Sequence, residues 1–441
     1  MGTAYRIGIR REDMYPWERR TPLIPQHLNE LTQKVGTPFR VQSSAKRVFS
    51  DAEYRDSGIP VVEDLADCTI VIGLKEIPID VLEEGKVYVF FSHTIKGQPA
   101  NMPMLRRCLD LGCTVIDYER VVDDQGRRLI FFGNYAGLAG MIDTLWTIGR
   151  RLSWEGIPNP FEEVRQASVY ADLEQAKEAI RDVGERIATA GLPREVSPFV
   201  IGITGYGNVS KGAQEILDLL PITELPATAL LNEGDMDVDP SRPIVKVVFR
   251  EEDTVLPLVE ERPFDLQEYH GHPERYRAGF ERYLPRLHAL VNCIYWEPRY
   301  PRLVTKEAVR TLYAGGQPTL RVIGDVSCDV EGAIEATVKA TEPDDPVYVY
   351  EPNTGEIRSG IEGHGPVLMA VEILPSELPR EASTYFSVIL KGFVPAIAAA
   401  DYGLDFNALD LIPELKRAVI CHHGELTPDY RTIEKHLADA S

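Results

Sequence analysis

Two strand ends carry the first chemistry in this chain. The run "CTIVIGLKE" closes on Lys75 and Glu76, and "VYVFFSHTIK" closes on His93 and Lys96. Each run is apolar and β-branched or aromatic and reads as a buried strand, with about one crossover connection between the two. In a parallel sheet both would present their polar ends at the carboxyl edge, where α/β sheets bind ligands. A lysine and a histidine there can trade protons with a substrate. The histidine's ordinary pKa lies near neutrality, and a lysine turns into a base once burial or a cationic neighbour lowers its own. Polar caps on a solvated edge are the plainer alternative. Arg19 and Arg20, in "WERRTPLIP" just after the first strand, fall on the same edge. A guanidinium fork at that place can grip a carboxylate bidentately, and a surface arginine pair fits the pattern equally well.

A second constellation lies in "FVIGITGYGNVSKGAQEIL". An apolar strand runs into Gly205-x-Gly207, and a helix opens near Asn208. Gly205 permits the tight turn, and Gly207 lets a pyrophosphate approach backbone N–H groups at the positive helix end. Ser210 takes the place of the third glycine, leaving Gly212 to serve helix–sheet packing. The order strand, glycine turn, helix favours a nucleotide over a plain turn. The choice between NAD and NADP rests on an acidic residue ending the next strand, and "PITELPATALLNEGD" can be registered to supply either Glu224 or Glu233. Asp325 of "LRVIGDVSCD" ends another apolar strand, where it can accept hydrogen bonds from a nicotinamide ribose or from its own turn. No metal is expected. His422 and His423 follow Cys421 directly, and adjacent side chains seldom converge on one ion; His270 and His272 lack partners at ligand spacing.

The elements that must position these residues form two strand–helix series. The first runs "YRIGIRRE", a helix over Pro25–Val35, "FRVQSS", a short helix from Asp51, the two strands above, a helix over 102–111, and "CTVIDYE". "QGRRLIFF" reads as a hairpin edge, and 134–156 as one long helix holding the domain boundary. The second series begins at the glycine loop and includes a hairpin around Asn353-Thr354-Gly355. A proline-punctuated helix after "LPSELPREAS" could run back to the first domain. The expected fold is α/β, two Rossmann-like domains with parallel sheets flanking an interdomain cleft. A substrate domain takes 1–135 plus about 381–441, and a dinucleotide domain takes 136–380.

Bulk properties agree. A chain of 441 residues exceeds one ordinary core, and 44% hydrophobic residues suffice for two. With 47 Lys plus Arg against 68 Asp plus Glu and no basic block, nucleic acid and anionic membrane are poor partners. Six cysteines without a C-x-x-C pair fit a reduced cytoplasmic protein. No secretory h-region, myristoylation motif or spanning run is apparent.

Taken in order, "REDMYPWERRTPLIPQH", "FFSHTIKGQPANM", "GNYAGLAGMID", "TGYGNVSKGAQEI", "HPERY", "NCIYWE" with "PRLVT", and "LPREAS" resemble the lysine–2-oxoglutarate reductase family. This is the saccharopine-forming group of the alanine dehydrogenase and transhydrogenase superfamily, and the likeness is closest to the reductase half of its bifunctional members. The resemblance implies reductive condensation of L-lysine with 2-oxoglutarate to saccharopine, using NADPH with NADH as the alternative. By it, Lys75 and His93 match the acid–base pair, Glu76 and Glu119 the carboxylates that tune it, and Arg20 the arginine that grips a substrate carboxylate; Arg19 and Lys96, on the same edge, complete the candidate substrate-binding set. The cofactor set becomes Gly205, Tyr206, Gly207, Asn208, Val209, Ser210, Glu224, Asn292 and Asp325. It also implies no disulfide at Cys293, whose counterpart cysteine is missing from the glycine loop; a monomer or small homo-oligomer is expected. Ending at Ser441, the chain would make or consume saccharopine without splitting it. Rival readings are an opine- or alanine-dehydrogenase-like enzyme with another amine, and a silent nucleotide-sensing module.

Overall fold

The computed structural model describes residues 6–232, 236, 238–259, 262–316 and 318–438. The chain divides into two compact units, Met1–Phe132 with Pro379–Ser441, and Gly133–Leu378. The break falls just ahead of the long helix Tyr135–Trp154.

The N-terminal segment supplies six parallel strands: β1 (Ile7–Ile9), β2 (Phe39–Gln42), β3 (Val61–Val62), β4 (Ile70–Ile72), β5 (Val87–Phe90) and β6 (Thr114–Asp117). β1 pairs with β2 and β4, and β5 lies between β4 and β6. Every residue of β4, β5 and β6 is buried, as expected of central parallel strands covered by helices on both faces. The covering helices carry recognisable punctuation. Pro25–Val35 has proline at its first turn and Gly36 at φ 68 past its end. Asp51–Asp56 starts on a capping box between Ser50 and Glu53. The hairpin expected in "QGRRLIFF" reduces to one antiparallel bridge, Val122 to Arg128.

The second unit holds β7 (Phe199–Thr204), β8 (Ile222–Glu224) and β9 (Ile244–Phe249), a two-stranded ribbon of β10 (Val255–Pro257) and β11 (Tyr276–Ala278), then β12 (Ala289–Asn292), β13 (Val322–Asp325), β14 (Val347–Tyr350), β15 (Ile357–Ser359) and β16 (Val367–Met369). Its 8-stranded sheet runs β15-β14-β16-β13-β12-β7-β9-β8, parallel except at β14, which pairs antiparallel with both β16 and β15. Those two form the expected hairpin, turned through Gly355 at φ 73.

The chain then returns to the first unit through the helix Pro379–Leu390 and adds β17 (Val419–His422) and β18 (Glu425–Leu426). The first sheet thereby becomes 8-stranded, β18-β17-β6-β5-β4-β1-β2-β3, with β17 antiparallel to β6. The returning helix is tied down by polar contacts: Ser383 Oγ accepts from Thr21 N at 3.0 Å, and Ser387 Oγ from Ile24 N at 3.0 Å.

Two glycines set the closest helix crossing of the second unit. A Cβ on Gly137 would stand 1.8 Å from Val209 O, and one on Gly212 would stand 2.2 Å from Asn134 O. Gly212 thus serves helix–helix rather than helix–sheet packing, pressing the helix Asn208–Leu217 onto Tyr135–Trp154. Because the clash is with backbone, Gly137→Ala should cost about 1–3 kcal/mol by overpacking. The urea midpoint of the second unit should fall, whereas Gly207→Ala, with nothing within 4 Å, should leave it near wild type. Equal midpoints for the two variants would mean the crossing tolerates separation.

Candidate active site

In the first unit the polar residues gather at the carboxyl ends of β1, β4, β5 and β6. Glu12, just beyond β1, is sunk to 5% exposure. Its Oε1 accepts from Leu74 N at 2.8 Å and its Oε2 from Lys75 N at 3.0 Å, so it pins the turn that carries Lys75 and Glu76. Burial pushes the Glu12 carboxyl up to about 7, against the pull of Arg10 and these two N–H groups. Lys75 Nζ lies 5.6 Å from the centre of the Tyr15 ring. Glu76 Oε1 pairs with His93 Nδ1, and Tyr15 Oη stands 3.5 Å from Oε2. Burial works to raise the Glu76 carboxyl, but the hydrogen bond and charge of His93 outweigh it and hold it below its usual value. His93 itself sits at φ 48, a left-handed conformation uncommon outside glycine, and its ring stacks on Phe91 at 6.0 Å and 11°. Lys75, Glu76 and His93 are therefore brought to one place.

The neighbouring residues divide. Glu119 ion-pairs with Arg128 at 2.7 Å. Asp117, at the end of β6, binds the Ser92 hydroxyl and accepts from Ser92 N at 3.2 Å and Glu119 N at 2.7 Å. Burial raises Asp117 to about 6. Arg20 is buried and its fork is already engaged by Glu18, Nε to Oε1 at 2.8 Å and Nη2 to Oε2 at 2.5 Å. Its guanidinium also lies 4.0 Å over Phe132, which stacks on Phe386 of the returning helix. Arg19 and Lys96 are exposed. Lys46 Nζ reaches Tyr15 O at 2.5 Å, and burial lowers its pKa against the pull of Glu18 and Glu12. Glu12, Glu18, Asp117, Tyr15 and Lys46 are absent from the sequence-based set. The position that marks Arg20, just past the first strand, marks Glu12 and Glu18 as well.

In the second unit β7 is followed by Gly205 at φ 86, where a Cβ would stand 2.9 Å from Ile294. Gly207 caps the helix Asn208–Leu217 and has open space where a Cβ would be, so its backbone is free to be approached. Tyr206 and Asn208 are exposed, Val209 is half-buried, and the buried Ser210 hydroxyl takes the Gln214 amide at 3.0 Å. This loop and helix start fit the pyrophosphate of a dinucleotide, whose charge the free N–H groups and helix dipole would offset. Asp325 is fully buried. Its oxygens accept from Asn292 Nδ2 at 2.9 Å, Ser327 Oγ at 2.7 Å and Thr337 Oγ1 at 2.6 Å, while Asn292 Oδ1 accepts from Thr204 Oγ1 at 2.8 Å. Asp325 thus binds side chains and ties the ends of β7, β12 and β13 together.

Glu224 does not reach this edge. It pairs with Lys246, which is level with Ile201, three residues before Thr204 ends β7. That is roughly 10 Å short at a strand rise of about 3.3 Å per residue. Its carboxylate is held there by Lys246 Nζ at 2.9 Å. Glu233 lies outside the described residues. Among the described residues no group of three His, Cys, Asp or Glu could hold a metal ion, and no helix is long and apolar enough to cross a membrane.

The buried Glu12 makes a pH-dependent signature. In the unfolded chain the carboxyl loses its proton near 4.5, in the folded chain only at about 7. Its stabilising contribution is therefore full below about pH 4.5 and drains as the pH climbs to about 7, by roughly 3 kcal/mol. Glu12→Gln should escape that loss. Urea unfolding of both proteins at about pH 4.5 and 7.5 should show their stability difference moving toward the variant by about that amount. A difference flat with pH would mean that Glu12 is charged throughout.

Residues 8–139 match the family model described as alanine dehydrogenase/PNT, N-terminal domain. The chain is 39% identical to the alpha-aminoadipic semialdehyde synthase of Arabidopsis thaliana over 97% of its own length and 41% of that protein. The mitochondrial alpha-aminoadipic semialdehyde synthase of Rattus norvegicus is 35% identical over 97% of this chain and 47% of its own. The chain thus spans less than half the length of these two relatives. A saccharopine dehydrogenase (NAD(+), L-lysine-forming) of Emericella nidulans is 26% identical over 86% of this chain and 89% of its own. Among solved structures, an L-alanine dehydrogenase matches with a TM-score of 0.56 at 17% identity, covering 99% of this chain and 100% of that one. A transhydrogenase from Sinorhizobium meliloti also gives 0.56, at 15% identity, covering 96% and 100%. At such identity the likeness shows the fold, two Rossmann-like domains. Residues 8–139 are thus similar to the alanine dehydrogenase/PNT N-terminal domain, and nearly the whole chain is similar to part of the alpha-aminoadipic semialdehyde synthases.

Proposed function

We propose that this chain is an oxidoreductase that condenses L-lysine with 2-oxoglutarate reductively, with NADPH or NADH, to give saccharopine. The observation that carries the proposal is the junction of Lys75, Glu76 and His93 at one sheet edge, with the Glu76–His93 pair and the turn under Lys75 both held by buried groups. It is supported by the names of the relatives, one set saccharopine dehydrogenases, and by the glycine loop of the second unit.

The chemistry asks for a base to take a proton from the lysine ε-ammonium, an acid to protonate the hydroxyl that leaves the carbinolamine as water, and a cation for a carboxylate. Lys75 is the base, and it is positioned through its own backbone N–H by Glu12. His93 is the acid: Glu76 fixes its Nδ1 side, so Nε2 is the ring nitrogen left for substrate. Arg20 meets one substrate carboxylate with the guanidinium edge that Glu18 leaves open. A reduced nicotinamide dinucleotide, its pyrophosphate held at the 205–210 loop, would supply the hydride for the imine carbon. We place the reaction in the cytoplasm, supported by six free thiols, although the rat relative's name reads mitochondrial.

The reaction is checked by oxidation of NADPH and NADH with 2-oxoglutarate and, in turn, L-lysine, ornithine and ammonia. Lysine should give the highest kcat/KM. Lys75→Met and His93→Gln should each lower kcat by on the order of 10²-fold or more with nucleotide affinity unchanged, and the double variant should lose less than the product. Turnover with ammonia alone would transfer the chain to amino-acid dehydrogenases, and undiminished turnover in either single variant would remove that residue from the acid–base pair.

A further inference from the structure

The strand that neighbours the glycine-loop strand on its outer side is β9, not the β8 that follows the loop's helix in sequence: the order is β12-β7-β9-β8. Phe249, the last residue of β9, is level with Thr204, the last residue of β7. The carboxyl end of the strand beside the glycine loop is where an adenosine ribose is read. In this chain that end is Arg250 and Glu251.

Resting on the dinucleotide reading above, we infer that Arg250 is the residue that reads the 2′ position of the adenosine ribose, and that it reads a phosphate, making the chain selective for NADPH. The guanidinium of Arg250 is exposed and lies 5.3 Å over the ring of Tyr206, the residue between the two loop glycines. Stacking on that ring holds the planar cation beside the loop, where a phosphate can take two of its N–H groups at once. Glu251, the only carboxylate that touches the loop here among the described residues, accepts from Tyr206 Oη at 3.2 Å through Oε1. That bond engages one of its oxygens on the tyrosine. Glu224 is out of play, level with Ile201 and held by Lys246.

A place for the adjoining base is present. A cavity of about 220 Å³ opens beside Gly205, Arg250 and Glu251 and is walled by Tyr269, Tyr295 and Trp296. It is smaller than the ~300–1,000 Å³ that drug-sized ligands occupy. Its volume and flat aromatic walls suit one stacked heterocycle rather than a whole dinucleotide. Loop, cation and aromatic cavity thus line up along one edge of one sheet in the order phosphate, ribose substituent, base.

The test is equilibrium binding, read by nicotinamide fluorescence for NADPH and NADH and by competition for the fragments 2′,5′-ADP and 5′-AMP, on the full chain. Wild type should bind NADPH and 2′,5′-ADP at least about tenfold more tightly than NADH and 5′-AMP, a preference that shrinks as salt is raised. Arg250→Leu should abolish the preference while leaving NADH affinity unchanged; Arg250→Lys, which keeps the charge but loses the fork, should retain part of it. Glu251→Gln should preserve it. Equal binding of the two nucleotides by wild type, or a preference untouched in Arg250→Leu, overturns the assignment. Tighter NADH binding that Glu251→Gln removes overturns it in favour of a ribose hydroxyl held by Glu251. Absence of binding by any of the four probes would instead bring down the dinucleotide reading itself, and this inference with it.

Discussion

Carboxylates sunk at the carboxyl edge of a parallel sheet are the constraint on which the first unit turns. Each strand that ends there leaves backbone N–H groups without a ladder partner, and an unpaired buried N–H is costly. Glu12 answers two of them, on Leu74 and Lys75, and Asp117 answers two more, on Ser92 and Glu119. The bonds of Glu12 cross from the end of β1 to that of β4, and the Ser92 bond of Asp117 crosses from β6 to β5, so the ends are stitched laterally in two pairs. The price is a carboxyl group in a dry place, and both respond by titrating near neutrality, at about 7 and about 6. The reactive side chains sit on the turns so held, and their positions inherit the rigidity of the sheet rather than the looseness of loops.

The same device governs the second unit with different chemistry. Asp325 is fully buried and saturated by three side chains, and burial raises its pKa. Through Asn292 it reaches Thr204, the residue before the glycine turn. A buried aspartate of this kind sets where three strand ends stand, and so sets the turn of Gly205.

Much of the frame was legible in the sequence because it follows from local rules. Buried parallel strands read as unbroken apolar runs, and the helix at Pro25–Val35 announces itself with a proline start and a glycine stop. The Lys75–Glu76–His93 group was legible for the same reason: polar residues directly after apolar runs must lie at a strand's end. What escaped was pairing across the sheet. Nothing in the spacing of "DYE" tells that Asp117 would turn inward to Ser92 while Glu119 turned outward to Arg128. Nor does "WERR" reveal that Arg20 would spend half its fork on a glutamate two residues away.

The largest miss, Glu224, has a topological cause. Sequence order makes β8 the second strand of the nucleotide series, and a rule stated in sequence order then looks for its acidic residue there. Sheet order makes β8 the outermost strand, set low, with its last residue opposite the middle of β9. A side chain can act at the edge only if its strand reaches the edge, and β8 stops three residues short of the level of Thr204. β9 ends level with β7 and delivers Arg250 and Glu251 instead. The sign of charge beside the ribose is therefore decided by register, which pairs residues distant in sequence, and not by spacing from the glycines. A chain can keep a well-spaced acidic residue and still present a cation to its nucleotide.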